Sequence, residues 1–135
     1  MIKKKSIRSQ FADTILKLSK KDNKIIVFVG DISHGIFSSF RKKYPTRYYN
    51  LGINETAMVN LSSGLSTLNY IPIVHTIAPF LIERTYEQIK LNFALQKQNI
   101  NLVSIGSSFD YSKLGCTHHC YNDVSILSHF KDSKI

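Results

Sequence analysis

The chain has 135 residues, enough for one domain with its own core and too few for two, and its 43% hydrophobic and 20% charged residues are those of a folded globular chain, not a disordered one. The longest apolar stretch, residues 70–82, is broken by Pro72, His75, Thr76 and Pro79, the basic start lacks an apolar run and cleavage site, and two cysteines give no disulfide framework. On these features no transmembrane helix, secretory leader or disulfide scaffold is expected, and a reducing cytoplasm is the expected compartment.

The net charge of +9 is unevenly spread. Residues 1–47 carry 12 basic and 3 acidic side chains, whereas residues 48–135 carry 6 of each. Phe40-Arg-Lys-Lys-Tyr-Pro-Thr-Arg-Tyr-Tyr49 interleaves cations with aromatics in the manner of a single-strand nucleic-acid surface. Nine of the twelve cations are lysines alternating with core positions, however, and no nucleic-acid module surrounds them, so a solvated helical surface is the expectation.

Taken in chain order, Phe11, Ile15 and Leu18 repeat at helical spacing and predict an amphipathic helix over residues 8–21. Ile25-Ile-Val-Phe-Val29 is apolar throughout, as in a parallel strand covered on both faces. A short helix over residues 34–43 and a strand over residues 48–51 follow. Asn54 is a helix N-cap, with Met58, Leu61, Leu65 and Leu68 as the apolar stripe behind it. Ile71-Pro-Ile-Val-His75 is a third strand, residues 80–98 one long helix, Asn101-Leu-Val-Ser-Ile105 a fourth strand, and residues 123–130 a last helix. This alternation specifies an α/β domain, three layers deep, with a mostly parallel sheet. Ligands in such sheets sit beyond the carboxyl ends of the strands, so the loops at 30–35, 51–55, 75–80 and 106–119 are the ones to watch.

Two features there carry candidate chemistry. Cys116-Thr-His-His-Cys120 places four possible metal ligands within five residues, but a structural zinc site draws paired ligands from two separated segments, and His34, His75 and His129 are single. No metal site is expected. Glu55 lies where a strand end meets a helix start, behind Gly52, a residue that permits tight backbone packing; a carboxylate in a helix's first turn is otherwise an ordinary surface residue.

Four segments in register carry a resemblance: Gly52-Ile-Asn-Glu-Thr-Ala-Met-Val59, Ser63-Gly-Leu65, Phe80-Leu-Ile-Glu-Arg-Thr-Tyr-Glu-Gln-Ile89 and Leu114-Gly-Cys-Thr-His-His119. From about Arg8 to the C-terminus the chain resembles the pyrimidine-binding domain of transketolases, most of all the split transketolase-like proteins whose two halves are separate polypeptides. Deoxyxylulose-phosphate synthases share these motifs. The resemblance implies a thiamine-diphosphate-binding fold, with residues 1–135 forming the pyrimidine module. It implies two-carbon ketol transfer between sugar phosphates or activated sugars, in a dimer or heterotetramer with a partner subunit that binds the diphosphate and Mg2+.

It also implies roles for single residues. Glu55 matches the glutamate that hydrogen-bonds the N1′ ring nitrogen of the cofactor and so promotes loss of the thiazolium proton. Phe80, or alternatively Ile77, falls where the family packs an apolar side chain on the pyrimidine ring. His118 matches a substrate-facing histidine, Arg8 an arginine that holds the sugar phosphate, and His34 lies in the loop lining the same channel. Arg84 and Gln88 are expected to be structural or at a subunit interface.

Two departures stand beside these matches. Leu114 replaces an acidic residue that contacts a sugar hydroxyl, and the Gly-Asp-Gly…Asn diphosphate signature is absent, Gly30-Asp31-Ile32 being only a fragment of it. The chain ends near the expected last strand, without the third transketolase domain, so a domain cut at its C-terminal edge is the expectation. The alternative from a different class is an α/β module that serves assembly alone.

Overall fold

The computed structural model describes residues 5–131 and 134. The elements run in the order α1 (Ile7–Leu18), β1 (Ile25–Val29), α2 (Ser38–Lys43), β2 (Tyr48–Asn50), α3 (Glu55–Thr67), β3 (Ile71–Ile77), α4 (Ala78–Ile82), α5 (Tyr86–Gln88), β4 (Asn101–Ile105) and α6 (Asp123–Ser128), with a π-helical segment Ile89–Leu95 continuing α5. The strands form one sheet in the order β2-β1-β3-β4, every pairing parallel.

The apolar run of β1 is explained by its place. Alternate side chains of a strand point to opposite faces, and β1 has a layer on each. Ile25, Val27 and Val29 join Ala12, Ile15, Phe37 and Phe40 of the α1/α2 side, and Ile26 and Phe28 join Met58, Val59, Leu81, Ile89 and Phe93 of the α3/α4 side. The same alternation runs along β3, whose Ile73 faces the first layer and Val74 the second. The architecture is the expected three-layer α/β/α.

The expected cap at Asn54 is present, and a second side-chain cap, not among the expectations, starts α1. Ser6 Oγ accepts from Ser9 N at 3.2 Å at the start of α1, and Asn54 Oδ1 accepts from Ala57 N at 3.3 Å at the start of α3. Asn69 follows α3 in the left-handed region, φ +61°, a conformation asparagine tolerates at a helix end.

The helix expected over residues 34–43 starts only at Ser38, because Ser33 is left-handed (φ +61°) and residues 33–37 form a loop. The single helix expected over residues 80–98 is instead broken. Arg84 N bonds Pro79 O, five residues back, at 3.1 Å, which widens the turn, and the buried Thr85 hydroxyl bonds Leu81 O. A hydroxyl bonding back to the i−4 carbonyl bends a helix, and a widened turn of this kind recurs at functional sites.

The sequence stretch that interleaved cations with aromatics is divided, with Arg41, Lys42, Lys43 and Tyr49 exposed and part of the rest built into the fold. Phe40 and Tyr48 are buried, and Arg47 donates to Asp22 O at 3.1 Å and Ser19 O at 3.2 Å with its guanidinium over the Tyr44 ring. Among the described residues, no helix is long and apolar enough to cross a membrane.

Candidate active site

Strand order fixes where a ligand fits. From β1 the chain passes to β2 on one side and then returns through α3 to β3 on the other, so the topological switch point lies between the carboxyl ends of β1 and β3. Gly30 follows β1 there, its N–H donating to His75 O at 3.1 Å. A Cβ on Gly30 would stand 2.7 Å from Thr76 Oγ1 and 3.3 Å from Glu55 Oε1, so only glycine lets the two strand ends and the carboxylate meet this closely.

Glu55 is the first residue of α3 and only 1% exposed. Its Oε1 accepts from Thr76 Oγ1 at 3.2 Å, and its Oε2 from Arg84 Nη1 at 2.7 Å. The Arg84 guanidinium lies 4.4 Å from the centroid of the Phe80 ring, and that ring meets His118 edge-on at 5.2 Å. Thr117 Oγ1 lies 3.0 Å from His118 Nδ1, and Tyr111 flanks the imidazole at 6.4 Å. Thus α3, β3, the broken helix and the loop after β4 together build one contiguous cluster around a buried carboxylate. Desolvation makes such a carboxylate strongly dependent on these partners.

A second group lies across the same edge. Asp31 Oδ1 is 3.0 Å from His34 Nε2 and accepts from Asn50 Nδ2 at 3.2 Å, while Asn50 Oδ1 accepts from the N–H groups of Asp31 and Gly52, both at 3.0 Å. The hydrogen bond from Asn50, then that from His34, hold the Asp31 carboxyl below its ordinary value of 3.8. Behind this loop His75 is fully buried, with Nδ1 at 2.7 Å from Val103 O and Nε2 at 2.9 Å from Ser33 Oγ. A carbonyl only accepts, so Nδ1 carries the proton and Ser33 donates to Nε2. Burial pushes His75 below its ordinary 6.5; the bond to Val103 opposes this, and the nearby charge of Arg8 adds to it.

Of the residues singled out in the sequence, Glu55, Phe80 and His118 come together. Ile77 ends β3, paired in register with Ile105. Arg8 is exposed on α1, and His34 belongs to the Asp31 group. Sequence reasoning missed Arg84, Asn50 and also Thr76, whose hydroxyl bonds Glu55 Oε1. Arg84, expected to be structural or at an interface, bonds Glu55 directly; the signal for it was its position four residues after Phe80, on the same helical face. Asn50 was read only as part of a strand, and no local pattern marks its bonds to Asp31. Gly52 serves differently from expectation: its φ is +68° and a Cβ there would meet nothing within 4 Å, so it supplies a left-handed turn, not close packing.

In the Cys/His stretch, Cys116 is exposed and Cys120 buried, and both are free thiols. Burial first, and the charges of Glu83 and Asp123 next, push the Cys120 thiol up to about 12. The described residues include no group of three or more His, Cys, Asp or Glu side chains able to hold a metal ion.

The fold and site thus define a parallel α/β domain with a buried carboxylate, an aromatic and a histidine gathered at its switch point. The family model for the transketolase pyrimidine-binding domain matches residues 3–135, and the chain belongs to that family. It is 37% identical over 117 residues to an uncharacterized 33.6 kDa protein in the fasciation locus of Rhodococcoides fascians, covering 87% of this chain and 38% of that protein. It is 30% identical over 129 residues to one of the subunits of the apulose-4-phosphate transketolase of Phocaeicola vulgatus, covering 95% of this chain and 41% of the relative. A solved split-gene transketolase, an inactive beta4 tetramer, superposes with a TM-score of 0.76 at 27% identity, over 89% of this chain and 38% of the other. The chain therefore spans about two fifths of the length of these relatives.

Proposed function

We propose that this chain is the pyrimidine-binding half-site of a thiamine-diphosphate-dependent, transketolase-like transferase that moves a two-carbon ketol unit between sugar phosphates or activated sugars. The single observation that carries the reading is Glu55: a carboxylate 1% exposed, on the first turn of α3, at the switch point of the sheet. The residues around it suit the ring half of the cofactor. Glu55 Oε2 is placed to share a proton with a ring nitrogen, and the Phe80 face is placed to pack on the ring. When bound, thiamine diphosphate supplies a thiazolium carbon that acts as nucleophile and electron sink.

The chain's own part is then to orient and to hold a proton. Thr76 fixes the rotamer of Glu55 through Oε1, leaving Oε2 as the oxygen that exchanges partners. Burial keeps water from competing for that oxygen. His118, its Nδ1 beside the Thr117 hydroxyl, is offered as the acid–base group that meets the substrate's hydroxyls. Arg8 and the His34–Asp31 pair are the candidate contacts for the sugar phosphate. In this reading the diphosphate and its Mg2+ are bound by a partner subunit, and the active unit is a dimer or heterotetramer of the two chains.

The test is reconstitution. Mixing the chain with a diphosphate-binding transketolase subunit, thiamine diphosphate and Mg2+ is expected to give ketol transfer that neither polypeptide shows alone. Full activity of the Glu55→Gln complex would refute the assigned mechanism.

A further inference from the structure

We infer that Arg84 is a built-in competitor for the pyrimidine ring: its guanidinium closes the Glu55 site in the free chain and is expelled when the ring binds. The inference rests on the reading of Glu55 given above and adds a regulatory contact to it. A guanidinium is planar, cationic and a fork of hydrogen-bond donors, and it stacks on aromatic faces. Here it does both at once, donating to Glu55 Oε2 at 2.7 Å while lying 4.4 Å from the Phe80 centroid. Those are the two surfaces that a protonated aminopyrimidine would need, a carboxylate oxygen and an aromatic face. Glu55 Oε1 is the less open oxygen, because Thr76 Oγ1 bonds it from the adjacent strand and Gly30 packs close beside it.

Electrostatics explains why such a contact exists. Glu55 is 1% exposed, and a buried carboxylate left without a counter-charge is strongly destabilising. Arg84 supplies that counter-charge in a chain that has no ring bound. Its own side chain is 43% exposed, so it has open solvent to swing into, on a long and flexible stem. Its base lies outside regular helix, since α4 ends at Ile82 and the widened turn carries residues 83–85, so movement of the side chain disrupts no helical packing there. Ring binding therefore exchanges one cationic partner of Oε2 for another, and the exchange lowers the intrinsic affinity of the free chain for the ring. This restrains cofactor capture until the partner's diphosphate contacts contribute to binding.

The test uses the full chain and a probe with neither thiazolium nor diphosphate, 4-amino-5-hydroxymethyl-2-methylpyrimidine, titrated against 15N-labelled protein by NMR. Arg84→Gln is expected to bind about tenfold more tightly than the wild type, equivalent to about 1.4 kcal/mol. Arg84→Lys, which keeps the charge without the planar stack, is expected to fall between them. Equal or weaker binding by Arg84→Gln overturns the competition. Should Arg84→Gln fail to fold by amide dispersion, Arg84→Lys decides, with unchanged affinity counting against the inference. A Glu55→Gln arm isolates the underlying reading. Lost binding there supports it, whereas undiminished binding, or no binding by any variant, removes the Glu55 site and the competitor with it.

Discussion

Asp31 and Glu55 are both carboxylates at the carboxyl edge of one sheet, and each is hydrogen-bonded by two side chains, yet they live in different solvents. Asp31 follows β1 in a loop, its side chain 57% exposed, between His34 and Asn50. Glu55 opens α3 and is 1% exposed, between Thr76 and Arg84. Water screens the first and can replace any partner it loses. It is excluded from the second, so every contact of Glu55 is strengthened and every lost contact is costly. The difference teaches where proton chemistry can be controlled. A group that holds a proton for a reaction needs an environment the protein defines alone, and among these two carboxylates only Glu55 has one.

The sharpest way to break this comparison is to convert each carboxylate to its amide. In the reconstituted complex, Glu55→Gln is expected to lower kcat about 100-fold or more, within the range of a lost general acid–base group. Asp31→Asn is expected to change kcat less than tenfold and to act mainly on KM. Equal losses would mean that burial does not set the roles apart.

The close packing that makes Glu55's environment gives the next largest effect. Gly30→Ala forces a Cβ to within 2.7 Å of Thr76 Oγ1, which is expected to cost about 1–3 kcal/mol in urea unfolding as overpacking. It should also lower activity, because Thr76 can yield only by releasing Glu55 Oε1.

A smaller effect separates the two groups by pH. The folded value of His75 is depressed below 6.5 by burial, so between that folded value and pH 6.5 the unfolded chain binds the extra proton. Stability then rises with pH across this window and is lost as pH falls through it. Asp31 adds a second loss at lower pH: its folded value lies below 3.8, so its contribution is present above 3.8 and disappears as pH falls through the folded value. Unfolding midpoints measured across pH should show both slopes, with His75→Phe removing the upper one and Asn50→Ala reducing the lower.

Much of this was legible in the residues, for physical reasons. The unbroken apolar run at Ile25–Val29 declared a strand covered on both faces, and Asn54 declared a helix start, because burial and capping leave local signatures. Glu55 was visible through its neighbours in the motif and its place at a strand-to-helix junction. What stayed hidden depends on contacts between distant parts of the chain. Arg84 reaches Glu55 across 29 positions, and Asn50 reaches Asp31 across 19. The break between α4 and α5 was masked because Ile82, Tyr86, Ile89 and Phe93 keep a helical spacing through it, while the cause, the Thr85 hydroxyl on Leu81 O, leaves no trace in hydrophobic periodicity. Gly52 was noticed for the wrong reason, since a left-handed turn and a close approach call for the same residue.

The central claim, that Glu55 governs proton movement on the cofactor, is tested most directly by hydrogen–deuterium exchange at the thiazolium carbon of thiamine diphosphate, held at saturation on the reconstituted complex. Quenched-flow NMR reads the rate without any substrate. Glu55→Gln is expected to slow this exchange about 100-fold or more at equal cofactor occupancy. Exchange at the wild-type rate in that variant would contradict the account.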